Sequence, residues 1–137
     1  GQTPVTFASV GTGVGQVLPI LIAGLTSQRK TIAVEQPELH LHPSQQGHVA
    51  DFIIDGVTSR NQQWLVESHS EAIISRVLRR IREKKLRPEQ VSVLYVEPGP
   101  EGARVTELRA SERGELIDPW PGGFFEDTYW DLFGGVQ

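Results

Sequence analysis

The chain has 137 residues, 38% of them apolar, which suits one domain of ordinary size with a modest core, and it contains no cysteine. Disulfides, thiolate metal sites and cysteine nucleophiles are thereby excluded, so chemistry falls to oxygen and imidazole, and a reducing, cytoplasmic setting is expected. The formal charge of −4 argues against a domain that coats nucleic acid as a whole, although seven of the thirteen lysines and arginines lie between Arg76 and Arg87.

The opening stretch TPVTFASVGTGVG ends in Gly11, Gly13 and Gly15. Val14, Val17, Leu18, Leu21, Ile22 and Leu25 then follow at the spacing of a buried helical stripe, so a glycine turn is expected to feed a helix, with Pro19 about one turn in. The run VLPILIAGL is too short for the roughly 20 residues that span a bilayer, and no charged-then-apolar leader precedes it, so no membrane partner is expected. TIAV reads as a short buried parallel strand ending near Glu35. Pro43 stands where a first helical residue belongs, and Val49, Phe52, Ile53 and Val57 supply that helix's apolar stripe.

QQWLVES is a second short strand, and Ser70 is placed to cap a third helix whose buried face carries Ile73, Ile74, Val77, Leu78 and Ile81. VSVLYVEP is a third strand, stopped by Pro98 and Gly99, and ARVTEL is its hairpin partner. The alternation predicts an α/β fold: a mainly parallel sheet flanked by helices, finished by an antiparallel hairpin. The tail WPGGFFEDTYWDLFGG holds six of the ten aromatics; Trp120, Phe124, Phe125 and Trp130 are expected to cover an edge or face of the sheet, with a docking surface as the alternative.

Two polar clusters, EQPE and ESHSE, fall at the carboxyl ends of consecutive strands, the edge where open parallel sheets bind ligands. A carboxylate at Glu35 is held rigidly there and suits Mg²⁺, directly or through water. His69 follows the next strand in the same register and brings an imidazole to the same edge. The glycine-rich GTGVGQ ahead of a helix offers backbone N–H groups and a positive helix end to an anion.

Read in order, GTGVGQ, IAVEQPELHLHP and VESHSE resemble the signature loop, the Walker B strand with its D-loop, and the switch-histidine loop of ABC-type AAA ATPases, most nearly the bacterial overcoming-lysogenisation-defect and recombination-type group. The spacings agree, 22 residues from Gly13 to Glu35 and 34 from Glu35 to His69, and WPGGFFED resembles the C-terminal module of an uncharacterised family in that group. The resemblance implies ATP with Mg²⁺ as cofactors: Glu35 at the metal in place of the usual aspartate, Gln36 where a catalytic glutamate usually stands, and His69 at the γ-phosphate. Gly13, Gly15 and Gln16 would form the signature loop that reaches a partner subunit's nucleotide, which implies a homodimer around two ATP molecules. Gln36 orients a water but takes no proton, so Glu38 or another group serves as base, or hydrolysis is slow.

No GxxxxGK[ST] occurs, so the phosphate cradle is absent from this sequence, and there is no methionine. An excised C-terminal half of a longer ATPase is therefore expected, with residues 1–100 as its signature, Walker B and histidine lobe and residues 101–137 as a hairpin and aromatic module. A natural half-domain that pairs with a separate P-loop chain is the alternative. ATP-driven conformational change serving a nuclease or DNA-directed partner is the expected role, and a catalytically idle interaction domain the second.

Two further readings are weighed. His40, His42, His48 and the glutamates suit a Zn²⁺ or Mn²⁺ hydrolase by type, but the pair two apart precedes a helix start and no HExxH occurs, so they are expected to order the loop or cap the helix. Arg76, Arg79, Arg80 and Arg82 read either as a solvated face near a helix C-terminus or as a DNA-backbone contact.

Overall fold

The structure, a computed structural model, describes residues 12–100 and 102–121. By internal contacts the chain divides into two compact units, Gly1–Val77 and Leu78–Gln137. The expected α/β architecture is present, as a parallel strand pair flanked by helices followed by an antiparallel hairpin.

In the first unit, α1 (Thr12–Thr26) leads to β1 (Thr31–Glu35), α2 (Pro43–Arg60) to β2 (Gln63–Glu67), and α3 (Glu71–Arg82) begins. β1 and β2 pair parallel in the register Thr31↔Gln63 to Glu35↔Glu67. Both strands alternate: Ile32, Val34, Trp64 and Val66 are half-buried, while Ala33 and Leu65 lie on an exposed face, Leu65 at 65% exposure. Helices α1 and α2 pack on each other and on the strands, and Phe52 of α2 meets Trp64 edge-on with centroids 6.1 Å apart. Val49, Ala50, Ile53, Ile54 and Ile73 form the apolar core.

The local signals act largely as expected. His42 caps α2, its Nδ1 accepting from Ser44 N at 3.3 Å, and Pro43 takes the first helical position, where a missing N–H is harmless. Asn61 closes α2 in the left-handed conformation and donates back to the Gly56 carbonyl. Ser70 Oγ accepts from Ile73 N at 3.3 Å and so caps α3.

Helix α1 departs from expectation twice. It already includes Gly13 and Gly15, and Pro19 falls at its eighth residue rather than one turn in. Its stripe is not buried: Val14, Ile22 and Leu25 are each more than half exposed within this chain.

In the second unit, α3 ends, a 3-10 turn follows at Pro88–Gln90, and β3 (Val93–Gly99) pairs antiparallel with β4 (Gly102–Leu108). β3 runs through Pro98 and Gly99 instead of stopping at them; a two-stranded hairpin has only edge strands, which tolerate proline. Among the described residues Ile81, Leu86 and Leu108 are the buried apolar side chains, and Tyr95 meets Trp120 edge-on at 5.9 Å. Leu94, Val96 and Val105 share an exposed face of the hairpin. Of the tail's aromatic residues only Trp120 is described; Phe124, Phe125 and Trp130 lie outside the described residues. No helix among the described residues is long and apolar enough to cross a membrane.

Candidate functional site

Because β1 and β2 are parallel and in register, the loops that leave their carboxyl ends start side by side. Gln36 N donates to the Glu67 carbonyl at 2.8 Å, which carries the pairing one residue past Glu35. The β1 loop then turns sharply, with Leu39 N bonded to the Gln36 carbonyl at 3.0 Å and Leu41 N to the Glu38 carbonyl at 3.0 Å. Gln36 and His40 adopt φ of 45° and 62°, left-handed values that non-glycine residues take at some expense. Between them Pro37 and Glu38 are buried, Glu38 at 8% exposure.

A buried carboxylate requires donors. Glu38 Oε1 has two, the Ser68 hydroxyl at 2.8 Å and the His69 backbone N–H at 2.9 Å, both from the loop after β2. The same loop is braced from α2: Ser70 Oγ donates to Gln46 Oε1 at 2.6 Å, and Gln46 Nε2 donates to the Leu41 carbonyl at 3.3 Å. Ser68 Oγ also accepts from Ser70 N at 3.0 Å. Glu38 Oε2, in contrast, is buried with no hydrogen-bond partner.

These loops enclose an open cleft of about 300 Å³, lined by Gln36, Glu38, Leu39, His40, Leu41, Gln46, His69 and Ser70. Gln36, Glu38 and His69 are therefore brought together. Glu35 stands at the β1 terminus with its side chain exposed, beside Glu67 in register. The His69 ring is 76% exposed, with Glu67 Oε1 at 3.9 Å from Nε2.

Gly13, Gly15 and Gln16 occupy the first turns of α1 rather than a loop ahead of it, and the preceding glycine-rich residues lie outside the described residues. The two glycines differ. A Cβ on Gly13 would stand 2.7 Å from the His40 carbonyl oxygen, so the helix start is fitted against the β1 loop, whereas among the described residues Gly15 faces nothing within 4 Å.

His42 serves α2 as its cap, and among the described residues no group of three His, Asp or Glu side chains is placed to hold a metal. Much of the basic run is engaged within the chain. Arg76 bonds Asp51 at 3.0 Å, while Arg79, Arg80 and Lys85 surround Glu83, whose carboxyl they hold down at about 2, Arg79 contributing most. Arg79, Arg80 and Arg82 stand in the last turn of α3, where cations favour the helix dipole.

Sequence reasoning missed Gln62. At 4% exposure its Nε2 donates to the Gly24 and Ser27 carbonyls at 2.7 and 2.6 Å, and its Oε1 accepts from Trp64 Nε1 at 3.0 Å, tying the end of α1 to the start of β2. Nothing in NQQW distinguishes it from its neighbour Gln63, which is exposed. The Ser68 and Ser70 bonds were also unforeseen beyond the helix cap, although the ESHSE cluster was legible.

A protein-family model described as an AAA ATPase domain matches residues 1–74, just over half of the 137-residue chain and the whole of the cleft. Comparison with curated proteins and with solved structures gives no match.

Proposed function

From the premise that the chain belongs to the AAA ATPase domain family, we propose that it is the signature, Walker B and switch-histidine part of an ABC-type ATPase that works on Mg·ATP between two subunits. The observation that carries the reading is the cleft at the strand ends, where Gln36, Glu38 and His69 converge beside Glu35 and Glu67. Glu35, exposed at the end of β1, is the carboxylate for Mg²⁺; one carboxylate with waters suits a cation that dehydrates reluctantly. His69 presents its exposed ring to the γ-phosphate. Gln36 orients the attacking water, and Glu38, which lines the cleft and has one carboxylate oxygen, Oε2, without a hydrogen-bond partner, is the candidate acceptor for its proton. When bound, Mg·ATP supplies the polarised phosphoryl group.

The residues present fit the metal and γ-phosphate end of the nucleotide but not its phosphate cradle, since the sequence holds no GxxxxGK[ST]. We assign the cradle to a P-loop half in the same or another chain. The exposed Ala33 and Leu65 face supports this, because parallel sheets are ordinarily covered on both faces. In a homodimer the start of α1, with Gly13, Gly15 and Gln16, faces the partner's nucleotide. Gly15 supports that placement, since a glycine in open space inside a helix is not explained by packing within the chain.

The overcoming-lysogenisation-defect and recombination-type group, a cytoplasmic setting, and conformational work on a nuclease or DNA-directed partner complete the proposal. A catalytically idle scaffold is the second reading, favoured by the amide at Gln36. Turnover by the chain assembled with its P-loop half separates the two. The expected result is Mg²⁺-dependent hydrolysis that Glu35→Gln lowers about a hundredfold or more. Absence of turnover, with or without nucleotide binding, sinks the ATPase reading and selects the scaffold.

A further inference from the structure

We infer that Glu38 and Ser68 form a latch that positions the loop bearing His69, so that the loop after β1 dictates where the imidazole stands. The geometry of the latch needs no nucleotide; its consequence for turnover rests on the ATPase reading above.

Consider how His69 is held. Its ring is 76% exposed, and a carboxylate oxygen of the also exposed Glu67 is 3.9 Å away, which is too long for a hydrogen bond. The ring thus inherits its place from its backbone. That backbone is fixed by Glu38 Oε1, which takes the His69 N–H at 2.9 Å and the hydroxyl of the preceding Ser68 at 2.8 Å. Ser68 Oγ in turn takes Ser70 N at 3.0 Å, so one carboxylate and one hydroxyl satisfy the turn from β2 into α3.

The other side of the latch is equally specified. Gln36 and His40, both left-handed, bracket Glu38 and turn it inward, and the Gln36 N–H bond to Glu67 anchors the loop at 2.8 Å. Hydrogen bonds to a charged acceptor are worth more than neutral ones, and burial at 8% exposure shields these from water. Gln36 and His69 line one cleft from opposite loops, and Glu38 joins those loops directly. A disturbance at the β1 loop therefore reaches the His69 backbone directly through these two hydrogen bonds, beside the flanking links from Gln36 to Glu67 and from Leu41 through Gln46 to Ser70.

Amide hydrogen exchange on the full chain, followed by NMR, tests the latch. Glu38→Ala is expected to speed exchange at the His69 N–H on the order of tenfold or more while the α2 core amides of Ala50 and Ile53 keep their protection. Glu38→Gln retains an oxygen that accepts from both donors, so His69 protection is expected to stay within a few-fold of the wild type. Ser68→Ala is expected to fall between them. Should Glu38→Ala expose the core amides as well, the Ser68→Ala chain decides. An unchanged His69 amide where the core is intact overturns the latch, as does a Glu38→Gln chain loosened as fully as the alanine one. In the ATP-competent assembly, Ser68→Ala is expected to lower kcat with KM for ATP unchanged, and a pure KM effect counts against positioning. If the wild-type assembly hydrolyses no ATP while the exchange pattern holds, the ATPase reading fails and the latch stands.

Discussion

In the first unit the buried polar side chains Glu38, Gln62 and Ser70 each bond to a segment distant in sequence, whereas the second unit places its strong polar pairs, Arg109 with Asp118 and three cations with Glu83, on the surface. The buried bonds of the first unit fix loops to within hydrogen-bond tolerance, and breaking one strands a desolvated group. The second unit rests on Ile81, Leu86 and Leu108, with exposed pairs that salt screens. The difference teaches where placement matters. The carboxyl ends of β1 and β2 receive specific polar anchoring, and the hairpin is left to apolar burial and surface charge.

The largest expected break in that contrast comes at Gln62. Gln62→Leu keeps the volume but leaves the Gly24 and Ser27 carbonyls and Trp64 Nε1 without their partner. A loss of about 3 kcal/mol is expected in urea unfolding. Arg109→Ala, which removes the surface pair with Asp118, is expected to change unfolding far less. If the arginine variant proves the weaker of the two, the contrast between units is wrong.

Next comes the pair of glycines at the start of α1. Gly13→Ala drives a methyl against the His40 carbonyl, 2.7 Å from the ideal Cβ, and is expected to lose about 1–3 kcal/mol. Gly15→Ala meets open space and is expected to stabilise the isolated chain by up to about 1 kcal/mol, through helix propensity. The same Gly15 substitution is expected to weaken nucleotide-dependent assembly. Stabilisation with undiminished assembly would remove Gly15 from the proposed interface.

Much of this was legible in the sequence because it depends on local chemistry. Pro43 after His42, Ser70 ahead of an amphipathic run, and TIAV closed by charge each specify an element within a few residues, and β1, α2, β2 and α3 follow them. The convergence of Gln36, Glu38 and His69 was legible once the two strands were read as parallel neighbours. What escaped was tertiary. The sequence does not say that Glu38 turns inward while Glu35 stays exposed, because that depends on left-handed Gln36 and His40. Nor does it distinguish Gln62 from Gln63, or reveal that the apolar stripe of α1 is only partly covered by this chain. An apolar helical stripe reads as buried whichever molecule supplies the cover.

The smallest expected effect concerns acid. Arg109 holds the Asp118 carboxyl at about 2, below the ordinary 3.8, and Arg79, then Arg80 and Lys85, hold Glu83 at about 2, below 4.5. Both carboxyls are depressed in the folded chain, so each contributes stability that is complete above its ordinary value and is lost as pH falls toward about 2. Solvent exposure makes these contributions modest, and salt should shrink them further. Replacing both groups, Glu83→Gln with Asp118→Asn, is therefore expected to lower stability slightly at neutral pH and to flatten its fall between about pH 4.5 and 2. Urea midpoints across that window, at low salt and again near 1 M, check it. A double variant whose profile parallels the wild type would show that the surface pairs add nothing, leaving apolar burial, with Ile81, Leu86 and Leu108 among the described residues, to hold the second unit.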